Sequence, residues 1–153
     1  MSARLTAALL IFSVSLPVLI DAQGAPKEVA LARTFNDAQL TWGPCPPFIP
    51  KGCEIAVLRG DPAKANADVF FKVPANFTIP HHWHTSAERM VLVSGELQVT
   101  YEGQEAVTLK PGMYAYGPPK VPHKAFCARG EPCVLFIAFE SAIDAFPTDG
   151  KAK

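Results

Sequence analysis

His82, His84, Glu88 and His123 are the residues of this chain best suited to chemistry, and the first three fall within a single short stretch. Neutral imidazoles and a carboxylate are ligands for divalent first-row metals. On a strand, side chains two apart share a face and lie ~6.6 Å apart along it. His82 and His84 therefore project together, and both imidazoles can reach one ion at ~2.0–2.1 Å. Glu88 has the same parity, and Thr85-Ser86-Ala87 can bend its carboxylate back towards them. His123 comes from a distant segment, Gly117-Pro118-Pro119-Lys120-Val121-Pro122-His123, and closes the set. The remaining histidine, His81, has the wrong parity and reads as a solvated residue; Trp83 must also point to the opposite face. Four such ligands leave open positions on an octahedral ion, where a substrate oxygen or dioxygen binds or a water is acidified. The expected cofactor is one divalent transition metal, with iron, copper or manganese favoured and nickel or zinc compatible. Glu88 is also the candidate catalytic group, because no acid/base pair apart from the ligands stands out.

Ligands so placed need rigid strands to carry them, and the rest of the chain is written for strands. Fifteen prolines and ten glycines divide its 153 residues into short pieces, which favours strands and turns over long helices. Glu54 to Arg59, Ala67 to Val73, Met90 to Val93, Leu97 to Tyr101, Ala106 to Leu109, Met113 to Tyr116, His123 to Cys127 and Cys133 to Phe139 read as strands. Glu28 to Arg33 reads as an opening strand and Ser141 to Phe146 as a closing helical turn. Short strands at turn-separated intervals predict an all-β sandwich or barrel. Val134-Leu-Phe-Ile-Ala-Phe139 is too apolar to face water and should be covered on both sides. Phe71, Phe77, Trp83, Met90, Tyr114, Tyr116 and Phe136 read as core, some of them lining a cavity for one small ligand. Arg89 and Lys120, close to the ligands, read as solvated.

The chain opens as an export signal does. Met1-Ser2-Ala3-Arg4 carries one positive charge, Leu5 to Ile20 is almost wholly apolar, and Ala22 offers a small residue for cleavage. The apolar run is short for a bilayer core, which needs ~20 residues. Residues 1–22 are thus expected to be removed, leaving no stable membrane span and a periplasmic or extracellular protein. A zero formal charge and scattered Lys and Arg give no footprint for nucleic acid. Export also decides how the cysteines read. Cys45 and Cys53 bracket a proline-stiffened loop, and Cys127 and Cys133 bracket a hairpin tip. Bridges 45–53 and 127–133 are expected, although four cysteines admit three connectivities. Free thiols remain the alternative, with Cys127 sharing the parity of His123 and turned towards the site.

The spacing His82-x-His84-x3-Glu88-x6-Gly95, followed by Gly112-x5-Pro118-x4-His123, resembles the paired signature motifs of the cupin superfamily. The resemblance covers roughly Val69 to Phe139. It implies a jelly-roll barrel in which two histidines and a glutamate from the first motif join a histidine from the second around one metal. Those roles fall to His82, His84, Glu88 and His123. Asn76 and Lys120 stand where the family has glycines, and Cys127 where it has an asparagine; none of these is a ligand position. The expected organisation is a signal peptide (1–22), an N-terminal strand-bearing extension with a proline-rich loop (23–62), the cupin barrel (63–147) and a tail (148–153). The resemblance implies a metal-dependent oxidoreductase, dioxygenase- or oxidase-like, acting on a small-molecule substrate. Alternatives are an isomerase or lyase, or a non-catalytic module that binds or senses a metal or ligand. The family also pairs as homodimers through edge strands, and the extension is available for that.

Overall fold

The computed structural model describes residues 29–148. The expected signal peptide at 1–22 lies outside the described residues, as does all of the expected tail except Thr148. The described chain forms strands and no helices: β1 (Trp42–Pro44), β2 (Glu54–Arg59), β3 (Ala67–Val73), β4 (Phe77–Trp83), β5 (Glu88–Ser94), β6 (Leu97–Tyr101), β7 (Val107–Leu109), β8 (Tyr114–Gly117), β9 (His123–Cys127), β10 (Cys133–Phe139) and β11 (Phe146–Pro147). All pairings are antiparallel. One sheet runs β1-β2-β3-β10-β5-β8 and the other β11-β4-β9-β6-β7. This is an all-β jelly-roll barrel: the strand spacing predicted an all-β sandwich or barrel, and the cupin resemblance implied the jelly roll.

The core lies between the sheets and is built by alternation. Val69 and Val73 of β3, Met90 and Leu92 of β5, and Leu135, Ile137 and Phe139 of β10 face Phe77 and Ile79 of β4, Leu97, Val99 and Tyr101 of β6 and Ala125 of β9. Leu92 is among the largest side chains fully removed from water, and such burial stabilises by about 1.5–3 kcal/mol per side chain. The central strand β10 is covered on both sides over most of its length, in keeping with its unbroken apolar run.

Three expectations are corrected. Residues 29–33 carry no strand; the weak alternation there has no partner strand to pair with. Ser141 to Phe146 is not helical: it is an extended strap ending in β11, which pairs with β4. Tyr114 and Tyr116 are not core but stand on the outer face of the edge strand β8, 60% and 50% exposed.

The turns hold where glycines were expected but absent. Asn76 and Lys120 adopt the left-handed conformation, with φ of 58° and 62°. Asparagine tolerates that region well. The Lys120 amide donates to the His84 carbonyl at 2.7 Å, which ties this turn to the ligand-bearing segment. Gly95, between β5 and β6, has φ +80°, and a Cβ there would lie 2.9 Å from Cys133 Sγ. That turn thus packs directly on a disulfide.

Both expected bridges are formed, Cys45–Cys53 and Cys127–Cys133, and no cysteine is free among the described residues. Cys127 does point inward, as its parity required, but its sulfur is committed to Cys133. That bridge is fully buried at the β9–β10 hairpin, whereas Cys45 is half-buried in the proline-rich loop. Attack by a thiolate needs access to a sulfur. Under native conditions a mild reductant followed by alkylation should therefore label Cys45 and Cys53 before Cys127 and Cys133. Removing the 127–133 bridge should cost at least the ~2–3 kcal/mol of its loop closure, read by urea unfolding. Peptide mapping that finds the opposite order of labelling contradicts this account.

Candidate metal centre

The site begins with an irregularity in β4. Ile79 pairs with Ala125 of β9, but the next register partner of His123 is His82, so β4 holds one extra residue across Pro80 and His81. Proline cannot donate to the ladder and is confined to edges and bulges. An extra residue reverses parity beyond it. Without the bulge His81 would follow Phe77 and Ile79 inward; with it His82 turns in and His81 turns out. The extra residue thus selects which of the two adjacent histidines enters the barrel. His84, two residues on and just past the end of β4, follows His82 inward.

Across the sheet Tyr101, His123 and His82 occupy one ladder row, on β6, β9 and β4. The ring centroids of His82 and His123 are 4.3 Å apart, of His82 and His84 4.8 Å, and of His84 and His123 5.3 Å. Ligand nitrogens of the three all lie within 4.8 Å of one another, and the three side chains are buried. Glu88 does not share their strand, contrary to the simplest reading of its parity. It is the first residue of β5, in the opposite sheet, and the loop from His84 to Ala87 crosses the barrel to reach it. Its Oε1 lies 3.5 Å from His84 Nε2 and its Oε2 3.7 Å from His123 Nε2. The carboxylate thus flanks the histidine cluster on one side. His81 stands apart from it and lines a shallow outer groove.

Each imidazole is held by a main-chain carbonyl. Nδ1 of His82 donates to Pro80 O at 2.7 Å, Nδ1 of His123 to Val121 O at 3.3 Å, and Nδ1 of His84 to Asp144 O. A carbonyl only accepts, so each Nδ1 carries the proton and each Nε2 keeps its lone pair. This is the arrangement that orients histidine ligands in metal sites.

Electrostatics keep the His82 and His123 rings neutral. Burial, with His84 close by, pushes the His82 imidazole down to about 4. Burial, with His82 and His84 adjacent, pushes His123 down to about 3. Burial raises the Glu88 carboxyl, opposed by the pull of His84. Three neutral nitrogens and a carboxylate in one buried cluster fit a divalent transition metal better than they fit any packing role.

The sequence reading missed the groups that hold this cluster. Asp144, on the strap, orients His84 through its carbonyl, and its carboxylate accepts from the Thr85 amide at 2.8 Å and from the Thr85 hydroxyl. The Ser86 hydroxyl, 2% exposed, accepts from the amides of Glu140 and Ser141 at 2.9 and 3.0 Å and donates to Ala87 O. Apart from the Ser86–Ala87 bond, these contacts join residues more than fifty positions apart, and nothing local in the sequence announces them. Tyr101 was also missed, and it was findable: Leu97-x-Val99-x-Tyr101 is a plain inward alternation. Of the expected cavity residues, Phe71 and Met90 line the space beside the cluster. Trp83 instead stacks on Phe146 at 4.6 Å, outside it.

The class defined here is a small strand barrel with an inward histidine cluster at one end of an apolar cavity. The profile of the cupin domain family matches residues 69–139, and that stretch is a cupin domain. No curated protein matches its sequence. Among solved structures it is similar to the DMSP lyase DddQ of Ruegeria pomeroyi DSS-3, at 18% identity and a TM-score of 0.62, covering 73% of this chain and 64% of that one. It thus spans less than two thirds of that lyase. It is similar to the polyketide cyclase RemF of Streptomyces resistomycificus, at 17% identity and a TM-score of 0.61, covering 80% and 89%. KdgF of Halomonas sp. aligns at 21% identity and a TM-score of 0.54, covering 68% and 89%. At such identities the likeness is one of fold.

The depressed imidazoles set a pH dependence for the metal-free protein. Unfolded histidines take up protons near 6.5, whereas folded His82 and His123 resist until about 4 and about 3. Between those values the unfolded state binds more protons, so stability falls as pH falls, by about 1.4 kcal/mol per pH unit for each such histidine. Glu88, shifted upward, works in the opposite sense: its contribution is present at low pH and lost as pH rises through its raised value. Thermal unfolding of metal-free protein at pH 7, 6 and 5 should show the melting temperature falling. The double variant His82→Gln, His123→Gln should flatten that fall, and an unchanged slope would contradict the buried neutral assignment.

Proposed function

We propose that this protein is a metal-dependent oxidoreductase, dioxygenase- or oxidase-like, that acts on a small molecule with an apolar body and one oxygen donor. The observation that carries the reading is the convergence of three Nε2 lone pairs and the Glu88 carboxylate at one end of an apolar cavity. When bound by His82, His84 and His123 with Glu88 beside them, an iron, copper or manganese ion supplies a Lewis acid for the oxygen donor and a redox partner for dioxygen.

The cavity defines the substrate class. It measures about 130 Å³ and is walled by Ile55, Val69, Phe71, Met90, Leu135 and Ile137, among other apolar side chains. Apolar cavities near this size hold a molecule of benzene's dimensions. The polar groups of the lining are the histidines, Glu88, Tyr101 and Asp144. Such a wall offers nothing to a polyhydroxylated sugar, whose hydroxyls would each be desolvated without a partner. It accepts a short enol, a β-dicarbonyl or a simple phenol, and it dissolves dioxygen as readily. A dioxygenase places both oxygen atoms in its product and needs no further reductant.

Glu88 is the proton-transfer group of this reading. Burial raises its carboxyl towards the range in which it takes and returns a proton. The same property supports a second reading, a lyase or isomerase in which proton transfer at Glu88 is the whole chemistry; a lyase and a cyclase stand among the similar structures. Export fits both, since two disulfides indicate an oxidising compartment.

Two experiments test the proposal. Elemental analysis of untagged protein should find one transition metal per chain, with His82→Ala, His84→Ala and His123→Ala each lowering occupancy about tenfold or more and Glu88→Ala lowering it less. His81→Ala should leave it unchanged, and an equal loss with His81→Ala would sink the ligand assignment. Apo-protein reloaded separately with iron, copper, manganese and zinc should turn over phenolic or β-dicarbonyl substrates under air and not under nitrogen. Equal turnover without oxygen, or with zinc alone, selects the lyase or isomerase. Tight ligand binding with no turnover by any metal selects a binding module.

A further inference from the structure

We propose that Tyr101 is a ligand-contacting residue of this site: its hydroxyl donates a hydrogen bond to an oxygen of the molecule bound in the cavity. The inference rests on the metal-site reading above for its setting, and on three independent features of Tyr101 for its substance.

The first is an unmet valence. Tyr101 is 8% exposed, and among the described residues its hydroxyl is the buried side-chain polar atom without a hydrogen-bond partner. Leaving a buried hydroxyl unpaired is unfavourable. A phenylalanine would fill the same space without that penalty.

The second is position. Tyr101 sits in the same ladder row as His123 and His82, and its ring lies 4.7 Å from the His123 ring, tilted by 31°. The ring is therefore part of the wall that presents the histidines. Its hydroxyl reaches across to the opposite sheet, where Gly117 and Glu88 are register partners.

The third is the space kept open for it. A Cβ on Gly117 would lie 2.5 Å from the Tyr101 hydroxyl oxygen and 3.0 Å from Glu88 Oε2. Gly117 does not have the positive φ that would call for glycine on backbone grounds. Its missing side chain is what admits the hydroxyl. The phenol and the carboxylate thus converge on one small volume beside the histidine cluster, from two sheets, without bonding each other.

A substrate oxygen placed there would meet a donor in Tyr101 and an acceptor in Glu88. A hydrogen bond from a neutral phenol to an anionic oxygen is charge-assisted and short. It also selects: an enolate, phenolate or carboxylate oxygen accepts it, whereas a hydrocarbon cannot. This is a second point of recognition, beside the imidazoles, and it makes the site read two features of its ligand.

The test uses Tyr101→Phe, which keeps the ring, its packing on His123 and the cavity wall. The first readout needs no metal. Because the hydroxyl has no partner in the protein, Tyr101→Phe should melt at the wild-type temperature or above it. A melting temperature several degrees lower would show a structural hydrogen bond and overturn the proposal. The second readout uses protein loaded with cobalt(II) and titrated with 4-nitrocatechol, a coloured oxygen donor. Tyr101→Phe should retain wild-type cobalt content while binding the catechol about tenfold more weakly. Equal affinity would overturn the proposal. Gly117→Ala, which fills the volume at the hydroxyl, should weaken catechol binding in the same way with Tyr101 intact. Failure of the wild-type protein to take up cobalt would sink the metal reading, and the melting comparison would still decide Tyr101.

Discussion

The structure depends on three hydrogen bonds from imidazole Nδ1 atoms to main-chain carbonyls, at Pro80, Val121 and Asp144. Three buried imidazoles packed this closely cannot all be charged, since burial and mutual repulsion both oppose it. Left without partners, they would be three unsatisfied polar groups in an apolar barrel. The carbonyl bonds remove half of that problem by satisfying each Nδ1. They concentrate the other half, three unshared lone pairs, in one small volume. A divalent metal ion would satisfy all three lone pairs at once. The fold therefore leaves the cluster's remaining acceptor capacity gathered in one place and facing inward.

That constraint reaches well beyond the ligands. Two of the carbonyls lie two residues before their histidines, next to prolines: Pro80 itself and Val121, which precedes Pro122. Proline rigidity at these points fixes the carbonyl as well as the bulge or turn that aims the ring. The third carbonyl comes from the strap after β10, which the Ser86 hydroxyl and the Asp144 carboxylate fasten to the loop between β4 and β5. That loop carries His84 at one end and Glu88 at the other, and it joins the two sheets. The orientation of His84 and the closure of the barrel are therefore one structural event. A variant that loosened the strap would disturb the site without touching a ligand.

The sequence disclosed the histidine cluster because a candidate metal site needs particular residue types at a strand's spacing, and few other roles do. It disclosed the strands because prolines and glycines interrupt the chain and alternation marks the inward face. What it concealed was contingent on three dimensions. Parity and a bend at Thr85-Ser86-Ala87 brought Glu88 back to the histidines, but did not disclose that the bend crosses to the opposite sheet. Continued from Phe77 and Ile79, the same argument would have chosen His81, and only the bulge at Pro80 and His81 makes His82 the ligand. Asn76 and Lys120 showed that a turn can keep its conformation when its glycine is gone, because the surrounding hydrogen bonds determine it. Tyr114 and Tyr116 alternate like core residues yet lie on an edge strand facing outward. Alternation tells which residues share a face, not which face is covered.

The same barrel serves proteins as different as a lyase and a cyclase, so neither the fold nor the histidines alone can determine what this one does. The difference must lie in what surrounds the cluster. Here the wall is apolar almost to the ligands, and a low-polarity wall has two consequences. It rejects ligands that bring more hydrogen-bonding groups than the site can match. It also strengthens each charge and dipole that remains, because little solvent is present to screen them. A single carboxylate and a single phenol in such surroundings carry more weight than they would in water. With so few polar groups, the proposed reaction is one that needs an oxygen held at the imidazole end, a proton moved at Glu88 and one hydrogen bond from the Tyr101 phenol beside them. An apolar skeleton with one acidic oxygen meets each of those demands and leaves no group of the cavity unmatched.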